Sequence, residues 1–200
     1  MRGQVLSQLL AGARGIVQAV NVFLIGYRCS GKTTVGRHLA QSLGWPFVDT
    51  DALVAADLGA SIADVVRRHG WEAFRLAERH VLTAVCARRR QVVATGGGVP
   101  CDAANVQRMK QNGVLVWLRA GVASIEKRMR KDAASALSRP ALGGKDALQE
   151  IRRTLEARRP LYRAAADLWV HTDDLCAEAV RVAVTVQLAR AGCLEQFGRS

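Results

Sequence analysis

Aromatic residues are scarce in this 200-residue chain, and no long apolar run is present. Phe, Trp and Tyr together account for 5% of the residues, so we expect a core of aliphatic side chains. A membrane helix needs roughly 18 or more consecutive apolar residues. The best stretch, residues 15–25, is interrupted by Gln18 and Asn21, so we expect neither a membrane span nor a membrane partner.

Cysteine pairs at the spacing of a zinc site are also missing. The five cysteines are widely spaced, and none forms a Cys-x-x-Cys pair. Neither a zinc site nor a disulfide framework is indicated, and we expect a protein of the reducing cytoplasm. Residues 1–20 hold two arginines but no clean small-residue cleavage site, which predicts an N-terminal extension rather than a secretory signal.

The formal net charge of +12 allows two interpretations. A basic protein can bind nucleic acid through counterion release, or its arginines can hold small anionic substrates. The basic residues form scattered clusters such as Arg88-Arg89-Arg90, without the interleaved aromatic residues that single-strand binders need. We favour small anions and expect no nucleic-acid partner.

Short apolar runs alternate with helical patterns, which predicts βαβ units and a parallel sheet. A chain of this length is expected to form one compact α/β domain, which we place at residues 21–191, with a C-terminal tail at 192–200. The predicted strands are 22–25, 47–48, 92–94, 114–118 and 168–170. The predicted helices lie near 32–43, 61–69, 71–88, 103–111, 121–131, 146–158 and 175–190.

A phosphate-binding pattern directly follows the first apolar run. The segment Gly26-Tyr27-Arg28-Cys29-Ser30-Gly31-Lys32-Thr33 has the Gly-x4-Gly-Lys-Thr spacing between a predicted strand and a predicted helix. Glycines let the backbone approach phosphate, and the helix N-terminus adds partial positive charge. Lys32 would reach the terminal phosphates, and the Thr33 hydroxyl would bind Mg²⁺. The sequence therefore predicts a site for a nucleoside triphosphate with Mg²⁺.

Two further groups of residues follow predicted strands, at the edge where open α/β sheets bind ligands. In Asp49-Thr50-Asp51 one carboxylate could hold a metal through water, and the other could accept a hydroxyl proton. The plain alternative is that Asp51 caps the next helix. The second group, Thr95-Gly96-Gly97-Gly98, would let a ligand lie against bare backbone N–H groups.

Arginines that could bind anions complete the set of candidate site residues. Arg75 and Glu78 are three residues apart on a predicted helix, so Glu78 can orient the guanidinium, although a surface ion pair is the alternative. Residues 132–145 lack apolar periodicity and contain Arg139, which predicts a mobile lid, or simply an exposed loop. Arg158 follows the next helical stretch, and arginine forks suit carboxylate and phosphoryl oxygens.

In this order the motifs resemble those of shikimate kinases. The resemblance runs from about residue 21 to residue 189. It implies a three-layer P-loop kinase fold, with a five-stranded parallel sheet flanked by helices and a mobile lid. It also implies transfer of the γ-phosphoryl group of ATP to the 3-hydroxyl of shikimate, with Mg²⁺, in aromatic amino-acid biosynthesis. The motifs are Gly26–Thr33 with Thr34, Asp49-Thr50-Asp51, Ser61-Ile62-Ala63-Asp64, Phe74-Arg75-x-x-Glu78, Thr95–Gly98, Arg139-Pro140 and Arg158-x-Pro-Leu-Tyr162.

The resemblance also implies roles for individual residues. Asp51 would bond the shikimate hydroxyls and act as the base, while Arg75 and Arg158 would clamp the carboxylate. Arg139 would close from the lid onto the phosphates, and Arg128 would lie on adenine. Thr33 and Asp49 would hold the metal, and Gly96, Gly97 and Gly98 would line the ring. The implied nucleotide-binding residues are Gly26, Cys29, Ser30, Gly31, Lys32, Thr33, Thr34, Arg128 and Arg139, and the implied catalytic residues are Lys32, Asp51 and Arg139.

Two other functions stay open at this point. A gluconate-type sugar-acid kinase would also use a phosphate loop and arginines, but Asp49-Thr50-Asp51 with Gly96–Gly98 favours shikimate. A non-catalytic, nucleotide-dependent module acting on nucleic acid would explain the positive charge. We expect a monomer that binds ATP and shikimate.

Overall fold

The computed structural model describes residues 20–131 and 147–194. The strands are β1 (Asn21–Ile25), β2 (Phe47–Asp49), β3 (Val92–Ala94), β4 (Gly113–Arg119) and β5 (Leu168–His171). The helices are α1 (Lys32–Leu43), α2 (Thr50–Leu58), α3 (Ile62–Cys86), α4 (Ala103–Asn112), α5 (Val122–Lys131), α6 (Ala147–Ala165) and α7 (Ala177–Arg190), with a short 3₁₀ turn at Val99–Cys101.

The strands form one parallel sheet in the order β2-β3-β1-β4-β5. This arrangement confirms the predicted five-stranded parallel sheet. The central strand β1 leads directly into the phosphate loop, and β2 and β3 lead into the two other predicted ligand-binding groups. Because parallel strands end at the same edge, all three groups meet there.

Helices cover both faces of the sheet. Along β1, Phe23 and Ile25 face a cluster to which α3, α4 and α6 contribute, whereas Val22 and Leu24 face a second cluster with α1 and α7. Alternate side chains of a strand point to opposite faces, so a strand buried on both sides reads as a continuous apolar run. The three-layer architecture follows from that pattern.

The structure adds one helix to the predicted set, α2. Its apolar residues do not mark one face, since Val54 is buried while Leu53 and Leu58 are exposed. Asp49 caps this helix by accepting hydrogen bonds from the N–H groups of Asp51 and Ala52, at 3.1 and 3.4 Å. The alternative in which Asp51 is the cap is therefore wrong.

The structure contains one predicted helix break, and it moves one predicted helix end. The predicted break near residue 70 is present as a single non-helical residue, Gly70, with φ 78° and ψ 173°, inside α3. Helix α6 runs through Pro160 to Ala165 rather than ending near residue 158. The fully buried Tyr162 anchors this last part of α6 to the core. No helix within residues 20–131 and 147–194 combines the length and apolarity that a membrane crossing requires.

Candidate active site

The phosphate loop joins β1 to the first residue of α1. Gly26 and Gly31 have φ values of 139° and 101°, which L side chains rarely adopt. A Cβ at Gly26 would also lie 2.6 Å from the Leu118 carbonyl oxygen. The Lys32 ammonium folds back over the loop and donates to the carbonyl oxygens of Gly26 and Tyr27, at 2.9 and 2.8 Å. A buried positive charge therefore stands at the N-terminus of α1, where an anion is favoured.

Thr33 and Asp49 are brought together beside this loop. The Thr33 hydroxyl donates to Asp49 Oδ2 at 2.9 Å, while Asp49 Oδ1 caps α2. Mg²⁺ prefers hard oxygen ligands, keeps several waters and takes further oxygens from phosphates. A threonine hydroxyl bonded to a carboxylate next to a phosphate loop fits such an ion. Within residues 20–131 and 147–194, no cluster of three or more acidic, His or Cys side chains forms a separate metal site.

The remaining predicted nucleotide residues lie along the same loop and beside it. Ser30 is buried, and Thr34 is exposed at the start of α1. Arg128 on α5 donates to the Cys29 carbonyl oxygen at 3.3 Å and to the Thr172 hydroxyl at 3.1 Å. Arg128 thus ties the loop to the segment after β5. Arg139 and the predicted lid at 132–145 lie outside the described residues.

A cavity of about 440 Å³ opens beside the phosphate loop. Its volume is in the range of small-molecule sites, roughly 300–1,000 Å³. Tyr27 and Arg28 of the phosphate loop form part of its wall. The predicted substrate residues Asp51, Arg75, Gly97, Gly98 and Arg158 line it together with Glu78. Residues that are distant in sequence therefore meet around one cavity, which charged side chains line.

Glu78 is a buried carboxylate that holds Arg75. Its Oε2 accepts a hydrogen bond from Arg75 Nη1 at 2.5 Å, and 1% of its side chain is exposed, against 30% for Arg75. The alternative of a surface ion pair is therefore wrong. Burial raises the pKa of Glu78 above its ordinary value of 4.5, although the Arg75 guanidinium opposes this shift. The guanidinium also lies 5.2 Å from the centre of the Phe74 ring and 5.6 Å from that of Trp71, so ring contacts and Glu78 together fix its position.

The glycine loop lies directly on this ion pair. A Cβ at Gly98 would collide with the Arg75 guanidinium, and one at Gly96 would lie 2.5 Å from Glu78 Oε1 and 2.7 Å from Asp51 Oδ1. A side chain at Gly96 or Gly98 would therefore displace these charged groups.

Tyr162 and Thr50 anchor the same loop, a role that the sequence does not reveal. The Tyr162 hydroxyl donates to the Gly97 carbonyl oxygen at 2.7 Å, and Arg158 Nη1 donates to it at 3.3 Å. Burial raises the pKa of Tyr162, so its hydroxyl remains a donor. The Gly96 N–H donates to Thr50 Oγ1 at 3.0 Å. The sequence feature that could have indicated the role of Tyr162 is its spacing of four residues from Arg158, which puts both side chains on one face of α6.

We predict that Glu78→Gln separates binding from stability. Because the folded-state pKa of Glu78 is raised, its protonated form favours the fold. That contribution is complete below the ordinary value of 4.5 and is lost as pH rises through the folded value. Glutamine is neutral at every pH. The Tm of the variant minus the Tm of wild type should therefore become more positive from about pH 4 to about pH 7.

The affinity of the Glu78→Gln variant for a carboxylate ligand at Arg75 should fall, since the amide orients the guanidinium less well. Thermal melts and calorimetric titrations check both expectations, and a Tm difference that shrinks as pH rises would contradict the first.

Comparisons with known proteins identify the family. The sequence model of the family described as shikimate kinase matches residues 28–188. The shikimate kinase of Oleidesulfovibrio alaskensis is 44% identical over 162 residues, which cover 81% of this chain and 92% of that protein. The shikimate kinase of Symbiobacterium thermophilum is 39% identical over 173 residues, covering 86% and 98% of the two chains.

Solved structures agree with these sequence matches. The shikimate kinase from Acinetobacter baumannii, solved in complex with shikimate, superposes with a TM-score of 0.81 at 33% identity, covering 92% of this chain and 99% of that one. A gluconokinase from Sinorhizobium meliloti reaches a TM-score of 0.53 at 18% identity, which shows a shared fold alone. The chain belongs to the shikimate kinase family. The prediction of a shikimate kinase, rather than a gluconate-type kinase, is confirmed.

Proposed function

We propose that this member of the shikimate kinase family transfers the γ-phosphoryl group of ATP to the 3-hydroxyl of shikimate through the residues described above. The observation that carries the proposal is the single cavity in which Arg75, Arg158 and Asp51 meet next to the phosphate loop. Two guanidinium groups suit a carboxylate, and a carboxylate suits hydroxyl groups. The A. baumannii protein, whose structure matches 92% of this chain, was solved in complex with shikimate.

Each group would contribute to positioning or to charge stabilisation. Arg75, oriented by Glu78, and Arg158 bind the acceptor's carboxylate and thereby fix which hydroxyl faces the nucleotide. Asp51 accepts the proton of that hydroxyl, and the phosphoryl group forms its new bond to the hydroxyl oxygen as its bond to ADP breaks. Lys32 stabilises the negative charge on the transferring group. Thr33 and Asp49 would hold Mg²⁺, which neutralises charge on the phosphate oxygens when bound.

We extend the proposal to the predictions that the described residues do not test. The kinase domain spans residues 21–191, Arg139 closes from a lid at 132–145, and Arg128 lies on adenine. The enzyme works as a cytoplasmic monomer without a nucleic-acid or membrane partner. The residues before 21 form an extension to this domain.

A coupled ADP-release assay tests the reaction. Shikimate, gluconate and other hydroxy acids are offered at equal concentration, and we expect shikimate to be phosphorylated far faster than the others. Faster turnover of gluconate would overturn the proposal. The nucleic-acid alternative is tested by binding DNA and RNA across a salt series, in which phosphate contacts would produce a steep negative slope.

We further predict that thiol reagents inactivate the enzyme and that ATP protects it. Cys29 is half-buried inside the phosphate loop, with a φ of 58°. A modified Cys29 side chain would occupy space at the loop that binds phosphate. Residual activity is measured after timed exposure to the reagent, with and without ATP. Inactivation that continues unchanged in Cys29→Ser would contradict this prediction.

A further inference from the structure

Within residues 20–131 and 147–194, Arg28 differs from the other arginines described above because two nitrogens of its side chain have no hydrogen-bond partner. Arg75 is held by Glu78, Arg158 by the Gly97 carbonyl and Arg128 by the Cys29 carbonyl. Arg28 also lines the cavity, yet its Nε and Nη2 atoms are buried and donate to no group in the part of the chain that the structure describes.

The two unpaired nitrogens form one edge of the guanidinium. The Nε–H and Nη2–H bonds point in parallel along that edge, and this fork matches the two oxygens of a carboxylate. A buried donor without a partner costs free energy that a hydrogen bond restores. Arg28 is therefore prepared for an anionic ligand that residues 20–131 and 147–194 do not supply.

The position of Arg28 indicates which ligand this is. Of the phosphate loop, Tyr27 and Arg28 line the acceptor cavity, whereas the Lys32 ammonium turns to the loop carbonyls. The Arg28 backbone nitrogen lies 3.5 Å from the position of a Cβ at Gly97, the residue whose carbonyl oxygen binds Arg158. Arg28 and Arg158 thus lie against the same glycine, on the acceptor side of the loop.

We propose that Arg28 is a specificity-determining residue that binds the acceptor's carboxylate side-on through Nε and Nη2, as a third arginine beside Arg75 and Arg158. The long side chain can turn this edge into the cavity as the acid enters. The inference rests on the proposed function, because it takes the acceptor to be a carboxylic acid. It explains why a strongly basic residue stands at a position of the phosphate loop that the nucleotide itself does not require.

Binding measurements on Arg28→Met test the inference. Calorimetric titration gives the Kd of shikimate, of shikimate methyl ester and, without acceptor, of ATP. Charge-assisted hydrogen bonds predict that the variant binds shikimate roughly ten- to a hundredfold more weakly. It should bind the neutral ester and ATP as wild type does, and kcat/KM for shikimate should fall by more than kcat does. Arg28→Lys, which keeps the charge but loses the fork, should recover part of the affinity. Arg68→Met, at an exposed position on α3, is the matched control and should leave every value unchanged.

The other possible outcomes would overturn either this inference or the proposed function. An unchanged Kd for shikimate in Arg28→Met would overturn the inference, as would equal losses for acid and ester, which indicate a purely structural role. A larger loss for shikimate 3-phosphate than for shikimate would assign Arg28 to the phosphate group and overturn the carboxylate assignment. Wild-type protein that binds no shikimate would instead refute the proposed function, so the two failures are distinguishable.

Discussion

Replacing Lys32 by alanine is expected to lower kcat by at least about a hundredfold while the protein remains folded. The Lys32 ammonium is buried at the N-terminus of α1 and held by the carbonyl oxygens of Gly26 and Tyr27. Charge grows on the phosphoryl oxygens in the transition state, and a preorganised cation next to them contributes on the order of 3 kcal/mol or more. Alanine cannot replace that charge.

Two controls separate catalysis from folding in this experiment. Lys127→Ala removes an exposed lysine of α5 and should leave both kcat and Tm unchanged. Lys32→Met keeps the length of the side chain without its charge, so it should lose as much activity as the alanine variant. Rates come from the coupled assay and folding from circular dichroism and thermal melts. A folded Lys32→Ala protein with near wild-type turnover would show that this lysine is not catalytic.

The sequence predicts the central strands β1, β3 and β4 well because they are buried on both faces. All five residues of β1 are buried, and four of them, residues 22–25, form an uninterrupted apolar run that no surface helix would show. Helix α1 is equally clear, since Val35, Leu39 and Leu43 repeat at helical spacing. Helix α2 lacks such a repeat. It begins where the Asp49 side chain caps it, and the sequence alone is equally compatible with Asp49 as a metal ligand, so the sequence does not predict the helix.

The site is predicted less completely, because its contacts are long-range. The Gly97 carbonyl oxygen accepts hydrogen bonds from residues 61 and 65 positions away. Nothing local in the sequence indicates that Glu78 is buried rather than exposed, and the same i, i+3 spacing with Arg75 fits both. Arg28 occupies a variable position of the phosphate-loop pattern, so only the folded cavity reveals its unpaired edge.

Arg75→Ala is expected to lower kcat/KM for shikimate by roughly thirtyfold to a few thousandfold. The guanidinium is positioned by Glu78 and by two aromatic rings, and it lines the cavity with Arg158. Removing one partner of a buried charged contact typically costs about 2–5 kcal/mol. The carboxylate also fixes which hydroxyl faces the nucleotide, so its loss should lower kcat as well as raise KM.

The variant leaves Glu78 buried without its cation, which by itself destabilises the fold. The double variant Arg75→Met with Glu78→Gln removes both charges and keeps most of the volume, so it should recover Tm without recovering shikimate turnover. ATP affinity, measured without acceptor, should stay close to that of wild type in both proteins. A double variant that regains turnover together with Tm would show that Arg75 acts only on stability.

Shikimate methyl ester provides the sharpest test of what the arginines recognise. The ester keeps the ring and the hydroxyl groups but carries no negative charge, so Arg75 and Arg158 cannot hold it as an ion. We expect the ester to be a poor substrate of the wild-type enzyme, and the penalty of Arg75→Ala should shrink when the ester is the acceptor. These two effects follow from one cause, the charge of the carboxylate, and they should therefore disappear together. Equal kcat/KM for ester and acid in the wild-type enzyme would show that the arginines do not bind a carboxylate, and the cavity would then require a different acceptor.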